Sequence, residues 1–89
     1  MAEQEIPYDA IVRTEIAIEI LNQARAIVTA RVYELEDQDP AAAKRLRGRR
    51  RELLDLQERF GADAPEAVEN AIGVWGPRVS DEVRFWAEF

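Results

Sequence analysis

From Ala10 to Glu36 the chain contains neither glycine nor proline, and apolar side chains recur through the stretch at helical spacing. It reads as one long helix over residues 9–36, with Asp9 placed to cap its start. On a helical wheel its apolar residues fill more than half of the circumference. They run from Ile16, Ile20 and Ile27 through Ala17, Ala24 and Leu35 to Val28, Leu21, Val32, Ile18 and Ile11. A surface helix needs an apolar stripe only about 100° wide. The excess dictates the rest of the fold, because this helix must be covered from more than one side.

The segments that can supply cover follow in order. In "DQDP", the residue before proline is pushed out of the α region. Asp39 can then cap a second helix with Pro40 at its first position, running over 40–60 with Gly61 just past its end. So short a connection folds the two helices into an antiparallel hairpin. Gly48, mid-helix, costs roughly 1 kcal/mol relative to alanine and reads as tolerated. The second helix is apolar on one narrow face, Ala42, Leu46, Leu53, Leu56 and Phe60. "DAPE" has the form of a capping box, Asp63 with Glu66, opening a short helix over 64–72 that "GVWGP" breaks; Ser80 followed by two acids opens a last one over 80–88.

The expected fold is therefore all-α, a long antiparallel helical hairpin plus one or two short C-terminal helices, in a single domain over 1–89. At 1.5 Å per residue the first helix spans ~40 Å and the second ~31 Å. Ile6, Ala10 and Ile11 then overhang the hairpin, and the aromatic-rich C-terminus is expected as their lid. Trp75, Phe85, Trp86 and Phe89 supply it; read functionally, the same four residues are an aromatic anchor for a partner. Phe85 and Trp86 are adjacent and cannot point the same way on a helix. One can be core and the other available. Ile16, Ile18, Ile20, Ile27 and Val32 cannot all face the second helix, so they are the expected self-association surface of a two-fold homodimer, a four-helix-type bundle. A monomer wrapped by its own C-terminal helices is the alternative.

Composition narrows the function. A chain of 89 residues with 47% hydrophobic content forms one small domain, which removes only about 60–65% of its unfolded surface from water. Cysteine and histidine are both absent, so no disulfide forms and the two commonest transition-metal ligands are missing. "MAEQEIPYDA" has no apolar signal-peptide core, and no run approaches the ~20 apolar residues of a membrane span. A cytoplasmic location is expected, and no membrane partner. Eleven arginines against one lysine hint at a GC-rich bacterial source.

Charge is segregated along the chain, which carries a net -6. Residues 40–51 hold six bases, Lys44, Arg45, Arg47, Arg49, Arg50 and Arg51, and no acid. In an antiparallel hairpin they lie beside residues 25–32, which add Arg25 and Arg31 and again no acid. Arg51 with Asp55, Arg49 with Glu52, and Asp55 with Arg59 can pair locally. Lys44, Arg45, Arg47 and Arg50 have no evident partner. This run reads as a solvated face, as a surface for an acidic partner, or as a phosphate-binding patch. Against nucleic acid, no aromatic or amide is interleaved for base contacts, and the hairpin is too long for a helix-turn-helix.

Catalysis is not expected. Besides the missing histidine and cysteine there is one serine, Ser80, and one lysine, Lys44. Arginines lining a small helical bundle can bind a dianionic substrate, but no accompanying pattern marks a reaction. "ELEDQDP" packs four acids into six positions yet lacks the glycine of a calcium loop, and the acids of "FGADAPE" would repel an anion from the helix start there. No metal and no cofactor are expected. The chain reads as a small non-enzymatic helical interaction module, an adaptor, regulator, inhibitor or mobile-element accessory protein. An accessory nucleic-acid binder using Lys44 to Arg51 is the alternative.

Overall fold

A computed structural model describes residues 8–89, all helical apart from short links. Ile6 lies outside them. Four helices follow one another: α1 Tyr8–Leu35, α2 Pro40–Gln57, α3 Pro65–Val79 and α4 Glu82–Glu88. At the α1–α2 turn Asp39 caps α2, its side chain accepting from the Ala42 N–H at 3.1 Å with Pro40 in the first turn. Pairing across the hairpin is antiparallel, as Arg47 reaches Glu36 and Arg50 reaches Thr29.

α1 meets its need for cover from two flanks. α2 lies along one of them. α3 lies along another and runs parallel to α1. The direction follows from successive contacts: Arg13 pairs with Glu69, a side chain at Gly76 would touch Ile20, and Arg31 sits over Trp86. The fully buried stripe of α1 is accordingly narrow, namely Ala17, Leu21, Ala24, Val28 and Val32. These join Ala43 and Leu53 of α2, Val68 and Ala71 of α3 and Phe85 of α4 in one core. Four of its ten members are alanines, whose small side chains let the helix backbones come close. Across the bundle the Cα atoms span only 21 × 15 Å, so every helix keeps a face near solvent.

Several expectations are corrected. α3 does not stop at residue 72; it continues through Gly73, Gly76 and Pro77 to Val79. The apolar stripe Val68, Ala71, Ile72, Trp75 and Val79 stays on one face throughout, and its packing outweighs the weak helix propensity of those three residues. Pro77 lies in the last turn, where its missing N–H forfeits the single backbone bond to the Gly73 carbonyl. α2 ends at Gln57 rather than 60. Two tighter bonds, Arg59 N–H to Leu56 and Phe60 N–H to Gln57, turn Phe60 inward. Asp63 is not the cap: Ala64 is the N-cap residue of α3 and makes no side-chain cap bond, and Pro65 fixes the first turn. Asp81, not Ser80, caps α4 by accepting from the Arg84 N–H at 3.2 Å.

The aromatic lid also closes the opposite end of the bundle from the one expected. Parallel α3 carries Trp86 to Arg31, near the α1–α2 turn, while Ala62, Pro65 and Val68 come to Ala10 and Thr14. A chain of the observed length returns parallel because the link over 58–64 crosses the base of the hairpin and leaves the whole length of α1 ahead of it.

Candidate functional site

The helical wheel of α2 splits the basic run into two faces, and each face does something different. On the face toward α4, Arg49 stacks on Phe89, its Cζ 4.2 Å from the ring centroid; Arg31 of α1 stacks on Trp86 at 5.0 Å. Arg78 covers Trp75 at 4.8 Å. These guanidinium planes roof an aromatic cluster centred on Phe85, whose ring lies 6.1, 5.2 and 5.0 Å from those of Trp75, Trp86 and Phe89. Stacking on a ring face attracts the cation electrostatically while its stem covers apolar surface. Part of the basic charge thus holds another part of this protein. The sequence pairs Arg49 with Glu52 and does not join it to the C-terminal aromatics.

Of the four anchor candidates, Phe85 is fully buried and belongs to the core; Trp75, Trp86 and Phe89 are half-buried. Glu88 clasps the end of α4 by accepting from Arg84 Nε at 2.7 Å and Arg78 Nε at 3.0 Å. Those two hydrogen bonds hold its carboxyl below the usual range. At the far end Arg13 grips Glu69 in a two-pronged bridge, at 2.8 and 2.6 Å, which lowers the Glu69 pKa.

The other face of α2 presents Arg47, Arg50, Arg51 and Leu54, spaced so that they share one side of the helix. With Arg25 of α1 they line a cleft of about 220 Å³, and no acid is among its walls. Arg47 leans to Glu36 at 3.2 Å and Arg51 to Asp55 at 3.2 Å. Arg47 was expected to lack a partner; a long side chain reaching back across the turn supplies one. Among the described residues Arg25 and Arg50 have no carboxylate partner and hydrogen-bond to neutral groups: Arg25 Nη2 donates to Asn22 Oδ1 at 2.5 Å, and Arg50 Nη1 to Thr29 Oγ1 at 3.0 Å. Arg25 Nε is buried with no hydrogen-bond partner among the described residues. Arg49 pairs with Glu52 at 3.5 Å and Arg31 loosely with Glu34 at 3.9 Å, whereas Asp55 takes Arg51 and not Arg59. Lys44 stands exposed, and Arg45 lines a second, smaller-charged cleft with Arg31 and Trp86.

The five self-association candidates do not form one surface. Val32 is core, 2% exposed, because α2 and α4 converge on the turn end of α1. Ile20 and Ile27 pack half-buried against the core on one flank of α1, Ile16 on that flank is 38% exposed, and Ile18 is half-buried on the flank nearer Arg25. Among the described residues no cluster of carboxylates could hold a metal ion, and no helix is long and apolar enough to cross a membrane. Comparison with models of known protein families, with curated proteins and with solved structures finds no match.

Proposed function

We propose that this protein is a small, non-catalytic helical interaction module that engages an anionic surface of another protein through the cleft of Arg25, Arg47, Arg50 and Arg51. The observation that carries this reading is the pair Arg25 and Arg50, two guanidinium groups whose hydrogen-bond acceptors among the described residues are neutral, in a cleft with no acid in its lining, on a chain of net charge -6. On such a chain acids are plentiful, and a basic cleft in which they reach Arg47 and Arg51 but leave Arg25 and Arg50 unneutralised is available to a partner. The absence of histidine and cysteine supports a binding role over a catalytic one. A cytoplasmic adaptor or regulator fits this inventory.

Calorimetric titration with a short poly-glutamate peptide tests the reading. Binding is expected at low salt, weakening as salt is raised, and about tenfold or more weaker for Arg25→Gln/Arg50→Gln. Absence of any heat from the peptide at low salt sinks it. A single-stranded oligonucleotide run in parallel tests the nucleic-acid alternative, which requires it to bind more tightly than the peptide and with a steeper salt dependence.

Self-association is the second part of the reading. Ile11 and Ile16 remain 42% and 38% exposed on α1, the helix with the widest apolar arc. The Ile16, Ile20 and Ile27 flank is the side on which a second copy would extend the bundle. Sedimentation equilibrium is expected to give twice the chain mass; a single-chain mass across the accessible concentration range removes this part and leaves the cleft untouched.

A further inference from the structure

We infer that the cleft recognises a phosphate dianion, and that its ligand is a phosphorylated side chain of the partner protein. The inference rests on the reading of this cleft as the partner-binding surface and names the group it takes.

Charge matching decides first. Arg47 and Arg51 each already lie beside a carboxylate, Glu36 and Asp55. Arg25 and Arg50 do not, so two positive charges in the cleft are uncompensated. A phosphomonoester near neutral pH carries about two negative charges on three terminal oxygens. A side-chain carboxylate carries one charge on two oxygens, and a single guanidinium fork satisfies it.

Donor count agrees. Arg25 spends Nη2 on Asn22 and Arg50 spends Nη1 on Thr29; these neutral acceptors orient each guanidinium without cancelling its charge. Arg25 Nε is buried, so Arg25 offers a ligand its remaining Nη hydrogens and Arg50 its remaining N–H groups, and Arg47 and Arg51 line the same cleft. Arginine rather than lysine at all four positions suits a tetrahedral oxyanion, whose oxygens accept in pairs from planar forks.

A nucleic-acid backbone is the weaker match. It requires cations spread along a track and favours aromatic side chains for stacking. Here the four arginines converge on one cleft, Leu54 is its only other wall among the described residues, and Glu36 and Asp55 bracket the cluster along the hairpin.

The test is an NMR titration of the full chain, following the arginine Nε–H resonances. The probes are a phosphoserine peptide, the same peptide with glutamate in its place, inorganic phosphate, and a single-stranded oligonucleotide. The phosphoserine peptide is expected to shift Arg25 and Arg50 saturably, about tenfold or more tightly than the glutamate peptide. Its affinity should fall as pH drops from about 7.5 to about 5.5, as the phosphate loses its second charge. Arg25→Gln and Arg50→Gln should each weaken it about tenfold, while the exposed Lys44→Gln leaves it unchanged. Inorganic phosphate that binds as tightly as the peptide overturns the protein-borne source, and a tighter oligonucleotide overturns it in favour of nucleic acid. If the glutamate peptide binds equally well, phosphate recognition falls and the acidic-partner reading stands; if no probe moves these resonances, both fall.

Discussion

Phe85→Ala should destabilise the fold by about 3–5 kcal/mol, while Val83→Ala, two residues earlier on the same helix, should stay within about 0.5 kcal/mol of the parent. Phe85 is fully buried and Val83 is 83% exposed. A chain of this length has a total stability of about 4–13 kcal/mol, so the first substitution removes a large share of it. The cause is not one side chain alone. A seven-residue helix does not form in isolation, so α4 exists because its aromatics are held. Phe85 is the ring against which Trp75, Trp86 and Phe89 all rest. Its loss also removes the ring that supports Trp86 and Phe89 beneath Arg31 and Arg49. Urea unfolding followed by circular dichroism measures both variants. Equal midpoints for the two would show α4 to be an appendage and not part of the core.

The same region shows how far the residues could be read in advance. Asp39 with Pro40, after a glycine- and proline-free run, sets the α1–α2 hairpin through local chemistry, and that chemistry is visible in sequence. The direction of α3 is not local. Gly73, Gly76 and Pro77 look like a break because propensity is counted residue by residue, whereas the stripe that carries Trp75 and Val79 onto α1 is a property of the packed molecule. Once α3 runs on and runs parallel, the aromatics arrive at the turn end, and Arg31 and Arg49 find them there. The candidate cleft was half legible. Unpaired bases beside Arg25 follow from the charge pattern and the hairpin register, and Arg25 and Arg50 do lack acids. That Arg49 turns toward α4 while Arg47, Arg50 and Arg51 turn toward Arg25 depends on which flank of α2 each neighbour occupies. No spacing within α2 alone reveals it.

Leu21→Asp should abolish the fold, and Ile16→Asp, little more than one helical turn away, should not. In sequence the two positions look alike, both apolar within the wide arc of α1. In the structure Leu21 is fully buried in the stripe on which α2 and α3 converge, and Ile16 is 38% exposed. A carboxylate at position 21 would have no cation among the core residues, which are all apolar, and it also forfeits the packing of the leucine. Together these cost on the order of 5 kcal/mol or more, comparable with the stability of the whole chain. A carboxylate at position 16 reaches water, with Arg13 on the preceding turn. Thermal melts by circular dichroism should therefore show Leu21→Asp largely unfolded at room temperature and Ile16→Asp close to the parent in helicity. The second variant carries the further information. If α1 pairs with a second copy along the Ile16, Ile20 and Ile27 flank, Ile16→Asp sediments as a folded single chain while the parent does not. Retention of the parent's mass by a folded Ile16→Asp would place any self-association elsewhere on the molecule. Unfolding of Ile16→Asp to the same extent as Leu21→Asp would mean that the flank is core, and that α1 is covered more completely than its 38% exposure at Ile16 allows.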